Sequence, residues 1–257
     1  MTTLAANDLV VMRGGRAILD RVSVGFDTPG LAVVIGPNGA GKSTLLSVLA
    51  GLVKPDAGEV RLDDAPILDM NLRRLALRRA YVPQNARCEW PIGVERVVAL
   101  GLSPTLPAFG DFPPDQKARI NATLATCDLT HLRDQEATTL SGGELARAML
   151  ARALVGDPEV LIVDEPIAGL DPRHAMDTMR RLRTLAAAGR IVIAAVHDLG
   201  LAARYADRVI AIRDGRVAAD GARGEVFTAS LLRELFDVDV QVEREARGFS
   251  LRYGPES

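Results

Sequence analysis

A chain of 257 residues, 48% hydrophobic and 25% charged, has the composition of a folded globular protein with room for one large core and a smaller appended unit. Its 31 basic and 33 acidic residues leave a net charge of -2, which removes any general electrostatic reason to bind nucleic acid, and no nucleic-acid partner is expected. Cys88 and Cys127 have no CxxC partner and read as inert thiols of a reducing compartment. The first eight residues lack a basic start followed by an apolar run, so they do not read as a signal peptide. The longest apolar stretches, such as 191–196, fall far short of the roughly 20 residues of a membrane-spanning helix, so any membrane role must come through a partner.

In chain order, residues 10–24 alternate loosely around Gly14-Gly15-Arg16, which predicts an antiparallel β pair. The apolar run 31–35 reads as a strand buried on both faces, and residues 45–50 as a helix. Between them lies Gly36-Pro37-Asn38-Gly39-Ala40-Gly41-Lys42-Ser43-Thr44, the pattern of a phosphate-binding loop in the strand-to-helix setting it requires. There the glycines let successive N–H groups curl around phosphates and the helix start adds positive potential. Lys42 would reach the β and γ oxygens, and Ser43 would ligate Mg²⁺. This loop alone leaves kinases, GTPases and motor proteins open.

A short strand at Tyr81-Val82-Pro83 is followed by a stretch of different character, 85–156. Its prolines come early, at Pro91, Pro104, Pro107, Pro113 and Pro114, and helical patterning runs from Asp115 onward. Near its end Leu140-Ser141-Gly142-Gly143-Glu144 opens a helical run, 145–154, with Ser141 as a natural N-cap. Residues 160–163 then form an apolar strand ending in Asp164 and Glu165, the position where a parallel sheet presents reactive groups. Successive strand residues point opposite ways, so Asp164 is assigned to the metal and Glu165 to the attacking water as base. A third buried strand, 191–196, ends at His197. Strands at 208–212 and 216–219 flank Asp214-Gly215, and a helix is predicted at 230–236.

The expected fold class is α/β: a P-loop NTPase core with a mainly parallel sheet, an antiparallel β subdomain on its N-terminal side and a helical insertion. The core would comprise 1–84 and 157–225, the insertion 85–156, and an accessory element 226–257.

With the phosphate loop, the Leu140 to Glu144 motif and the acidic strand end in this order, the sequence resembles the ABC ATPase family. The family's Leu-Ser-Gly-Gly-Gln signature is matched except that Glu144 replaces Gln. The resemblance covers almost the whole chain, and what it implies is specific. Ser141, Gly142, Gly143 and Glu144 of one copy would cover the γ-phosphate of ATP held by the phosphate loop of a second copy, in a head-to-tail dimer. Gln84 would meet Mg²⁺, and the segment after it a membrane-embedded permease subunit. His197 would contact the γ-phosphate, and Gly169-Leu170-Asp171 would cross the dimer interface. Relatives stack an aromatic residue on adenine; here Arg13 stands nearest that place, and a guanidinium also stacks on a flat ring. Ile167 stands where the family often has Thr or Ser.

The stretches 90–101 and 197–208 resemble importers of metal chelates: iron-siderophore, haem or cobalamin. A periplasmic or lipoprotein substrate-binding protein is then an indirect partner, and the chain is expected at the cytoplasmic face of the membrane. Zinc and manganese importers share much of the first stretch, and Leu102 stands where relatives frequently carry Arg. Exporters remain open. Soluble ABC ATPases of DNA repair or translation fit less well, because neither a long coiled-coil or zinc insertion nor a second cassette is present.

Overall fold

The computed structural model describes residues 1–84, 88–105, 112–245 and 248–254; Pro107 and the first residues of the predicted insertion, 85–87, lie outside them. The chain opens with β1 (Leu4–Arg13) and β2 (Arg16–Phe26), joined by Gly14-Gly15. There follow β3 (Gly30–Ile35), α1 (Lys42–Leu49), β4 (Ala57–Leu62), β5 (Ala65–Pro66), α2 (Leu72–Arg78) and β6 (Arg79–Val82). Three helices come next: α3 (Val94–Ala99), α4 (Pro114–Thr126) and α5 (Gly142–Leu154). The chain then alternates through β7 (Val160–Asp164), α6 (Pro172–Ala187), β8 (Ile191–Ala195), α7 (Leu199–Tyr205), β9 (Arg208–Arg213) and β10 (Arg216–Ala222). It ends with α8 (Arg223–Val226), α9 (Ala229–Phe236), β11 (Val240–Glu245) and β12 (Gly248–Tyr253).

Among the described residues the main sheet has the order β10-β9-β3-β8-β7-β6, parallel throughout except for the β9–β10 hairpin. A second, antiparallel sheet runs β2-β1-β4-β5. The parallel strands are buried on both faces, and the two-residue period of a strand divides their side chains between two cores. Ala32, Val34, Val160, Ile162, Ile191 and Ile193 face α1 and the antiparallel sheet, where they meet Leu45, Leu46 and Leu49 of α1 and Leu19 and Val22 of β2. Leu31, Val33, Leu161, Val163, Val192 and Ala194 face the other way, onto Met179 and Leu182 of α6, Ala202 of α7 and Leu232 and Leu235 of α9. Each fully buried Leu, Ile or Val contributes about 1.5–3 kcal/mol, so this two-sided burial fixes the strand ends that carry the polar residues.

Helices α3, α4 and α5 enclose a third core of their own, from Val94, Val98, Ile120, Leu124, Ala148 and Ala151. Pro114 starts α4, where its missing N–H costs nothing, and Ile120 and Leu124 lie one turn apart on its buried face. At the C-terminus Thr228 caps α9 by accepting the Leu231 N–H. The β11–β12 hairpin that follows was not anticipated from the sequence, whose alternation there spans too few residues; its Phe249 ring stacks on Phe227, just after α8, with centroids 6.3 Å apart. No helix among the described residues is long and apolar enough to cross a membrane.

Candidate functional site

The phosphate loop leaves β3 at Ile35 and becomes α1 at Lys42. Gly41 sits at the N-cap with φ 104°, and a Cβ there would come 2.7 Å from the Ile18 carbonyl oxygen of β2. Only glycine fits that left-handed turn beneath a neighbouring strand. No side chain caps α1, so its first N–H groups face the curl of Gly36, Pro37, Asn38, Gly39 and Ala40. Ala40 is buried and donates its N–H to Pro37 O at 3.2 Å, while Asn38 and Gly39 at the tip are exposed and Thr44 is half-buried.

Lys42 is buried, and its Nζ donates to Gly36 O at 2.8 Å and Pro37 O at 3.0 Å. Burial pushes its pKa down from the usual lysine range, and the charges of Glu165 and Asp164 oppose that shift. Asp164 has the parity of Val160 and Ile162 and so points to the α1 side of the sheet. There its Oδ1 accepts the Ser43 hydroxyl at 3.1 Å, and its Oδ2 accepts the Tyr81 hydroxyl at 3.5 Å. Asp164 is 3% exposed. Burial raises its pKa, aided by the charge of Glu165 and opposed by the Ser43 hydrogen bond. Tyr81 was read from the sequence only as part of a strand; the parity that aims it at α1 was the signal that marked it.

Glu165 departs from the route expected for it. Alternation along a strand was to turn it away from Asp164, but β7 ends at Asp164 and Glu165 lies in the left-handed region at φ 50°. Its N–H still bonds Ala195 O at 3.1 Å, so the backbone turn, rather than the pleat, separates the two carboxylates. The Glu165 carboxylate accepts from Gln84 Nε2 on one oxygen and from His197 Nε2 on the other. Because a carboxylate only accepts, the proton of that His197 contact lies on Nε2. Gln84 follows β6 and His197 follows β8, the strands either side of β7, so three adjacent strand ends converge on one carboxylate. Asp198, next to His197, caps α7 by accepting the Leu201 N–H.

The remaining predicted positions stand apart from this cluster. Ser141 caps α5 and forms a closed exchange with Glu144. Its Oγ accepts the Glu144 N–H at 3.4 Å, while the Glu144 carboxylate accepts the Ser141 N–H at 2.8 Å and its hydroxyl at 2.7 Å. The Ser141 hydrogen bonds hold Glu144 below the usual carboxylate range. Gly142 and Gly143 form the first turn of that helix. Among the described residues no hydrogen bond or ion pair links 141–144 to 36–44 of the same chain. Asp171 caps α6. Arg13 is exposed at the tip of the first hairpin, opposite Arg16, and Ile18, which covers Gly41, is two residues further along β2. The hairpin tip therefore flanks the phosphate loop.

Comparison with known proteins agrees with this geometry. The sequence profile of the ABC transporter family matches residues 19–168. The hemin import ATP-binding protein HmuV of Streptomyces coelicolor is 43% identical over 238 residues, covering 93% of this chain and 84% of the relative. HmuV of Thermobifida fusca is 41% identical over 244 residues, covering 95% and 85%. In three dimensions the chain matches the ADP conformation of an ATP-binding cassette of an ABC transporter, with a TM-score of 0.82 and 26% identity over 92% of this chain and 99% of that one. The family profile, the HmuV relatives and the cassette fold agree that this chain belongs to the ABC transporter family, as its ATP-binding and ATP-hydrolysing cassette.

Proposed function

We propose that this chain powers uptake of hemin, or of a chemically similar iron chelate, through a membrane-spanning permease. The observation that carries the cargo class is the likeness, over more than nine-tenths of the chain, to relatives named for hemin import. The chain works as a head-to-tail pair bound to the cytoplasmic face of the membrane, downstream of a substrate-binding protein that selects the cargo.

In the proposed cycle Gly36 to Thr44 cradle the phosphates of ATP, with Arg13 against the adenine. Lys42 supplies positive charge to the oxygens on which negative charge accumulates. Ser43 Oγ and Asp164 Oδ1, 3.1 Å apart, form a hard-oxygen pair suited to Mg²⁺, and the Gln84 amide oxygen would be a further ligand. Held by Ser43 and Asp164, Mg²⁺ would supply positive charge against the phosphates. Glu165 takes the proton of the attacking water, and Gln84 and His197 aim its carboxylate. The signature residues Ser141, Gly142, Gly143 and Glu144, together with Asp171, come from the second copy and complete the site.

Segment 85–156 acts as the lever that passes closure to the permease. Exposed apolar side chains at the start of α2 and on this segment suit such a docking surface: Leu72 is 80% and Trp90 68% exposed. Segment 226–257 is an accessory element that packs on the main sheet's core through Leu232 and Leu235 of α9. Uptake of radiolabelled hemin, ferric siderophore and cobalamin tests the proposal in cells lacking the chain and in cells carrying Glu165→Gln. Loss of hemin uptake in both is expected; unchanged hemin uptake with no redundant system present overturns the cargo.

A further inference from the structure

Asp171 engages one neighbour twice. Its Oδ1 accepts the backbone N–H of His174 at 3.0 Å, capping α6, and its Oδ2 meets His174 Nδ1 at 2.5 Å. The carboxylate only accepts, so the proton lies on Nδ1 and the imidazole is held in one orientation. Against the ring's other atoms lies Gly143, in the first turn of α5. A Cβ at that glycine would come 3.1 Å from His174 Cδ2, 3.2 Å from Cγ and 3.5 Å from Nε2. The imidazole occupies the space a side chain at 143 would need, and one ring joins the starts of α5 and α6.

Both partners of this pair are well exposed, Asp171 at 58% and His174 at 42% of their side chains. A polar contact in that setting contributes little to the stability of the fold. What it does fix is geometry: the distance between the signature turn and the loop that ends in Asp171.

We propose that His174 is a positioning residue of the composite ATP site. Held by Asp171 and packed on Gly143, it locks the two segments into a single edge that one copy presents to the nucleotide of the other. This inference rests on the head-to-tail reading given above.

The full-length chain carrying Glu165→Gln is mixed with Mg·ATP and its mass followed by light scattering. If it stays monomeric, the head-to-tail reading fails and this inference with it. If it pairs, His174→Ala and His174→Asn are added to that background, the asparagine amide nitrogen lying close to the place of Nδ1. The alanine change is expected to weaken ATP-driven pairing about tenfold, and in the otherwise unaltered chain to lower kcat by a similar factor with KM for ATP changed less than about twofold. The asparagine change should restore both to within about threefold of the parent. Undiminished pairing in the alanine variant overturns the proposal, and so does an equal loss in both variants. Melting temperatures within about 2 °C of the parent confirm that folding is intact; should alanine fail that control, His174→Gln, with its amide displaced by one bond, takes its place against asparagine.

Discussion

The phosphate end and the signature end of this site are polar in different ways. At the first, Lys42, Asp164 and Glu165 are buried or half-buried and meet groups far away in sequence: Lys42 faces Glu165 and Asp164, Ser43 meets Asp164, and the exposed Gln84 and His197 meet Glu165. At the second, Ser141 answers Glu144 and Asp171 answers His174, each three residues on and each exposed. Long-range polar contacts need a packed sheet to hold them, whereas capping contacts need only the first turn of a helix. The first end is therefore shaped by the whole core. The second is shaped by helix caps and by the one ring contact of His174 with Gly143, and is left free to face another molecule.

Several changes would break or sharpen that contrast. The largest effect is expected from Glu165→Gln, which keeps the shape of the cluster but removes the base. Phosphate release should fall about 10²–10⁴-fold while ATP binding by equilibrium dialysis persists. Next comes Ile193→Ala at a fully buried position of β8. Loss of about 2–5 kcal/mol in urea unfolding is expected, with ATP turnover falling in step, because the phosphate end depends on the sheet beneath it.

Ser141→Ala should cost only about 0.5–2 kcal/mol, read as faster amide exchange in the first turn of α5 while β7 and β8 keep their protection. The smallest effect is electrostatic. Arg78 donates to Glu159 at 2.9 and 2.5 Å, and these bonds hold Glu159 below the usual carboxylate range. A lowered folded pKa adds stability above the unfolded value and loses it as pH falls through the folded one. Arg78→Met should flatten that acid-side loss by no more than about 1 kcal/mol, because Glu159 is partly exposed and the pair is screened. Urea midpoints between neutral and acidic pH measure it.

How far the sequence could be read follows the same division. The phosphate loop, the buried strands and the capped signature helix rest on local patterns, and each lies where the residues 36–44, 160–163 and 141–144 predicted. The convergence of Gln84 and His197 on Glu165 depends on strand order, which periodicity does not contain. The family resemblance singled out both residues, but their meeting is a fact of β6, β7 and β8 lying side by side. The left-handed turn at Glu165 was missed because glutamate has no preference that announces it. The terminal hairpin was missed because its alternation spans too few residues, and because its contact with the rest of the chain, Phe249 on Phe227, joins residues far apart in sequence.

The shared facing of Val160, Ile162 and Asp164 has a consequence for how this protein can vary. Exchange of one aliphatic residue for another along β7 leaves the carboxylate where it is. Deletion or insertion of a single residue there sends Asp164 to the opposite side of the sheet, away from Ser43. A deletion scan would find β7 intolerant of any change in length at positions where a substitution scan finds it permissive. Along this strand the spacing, more than the spelling, is what heredity has to keep.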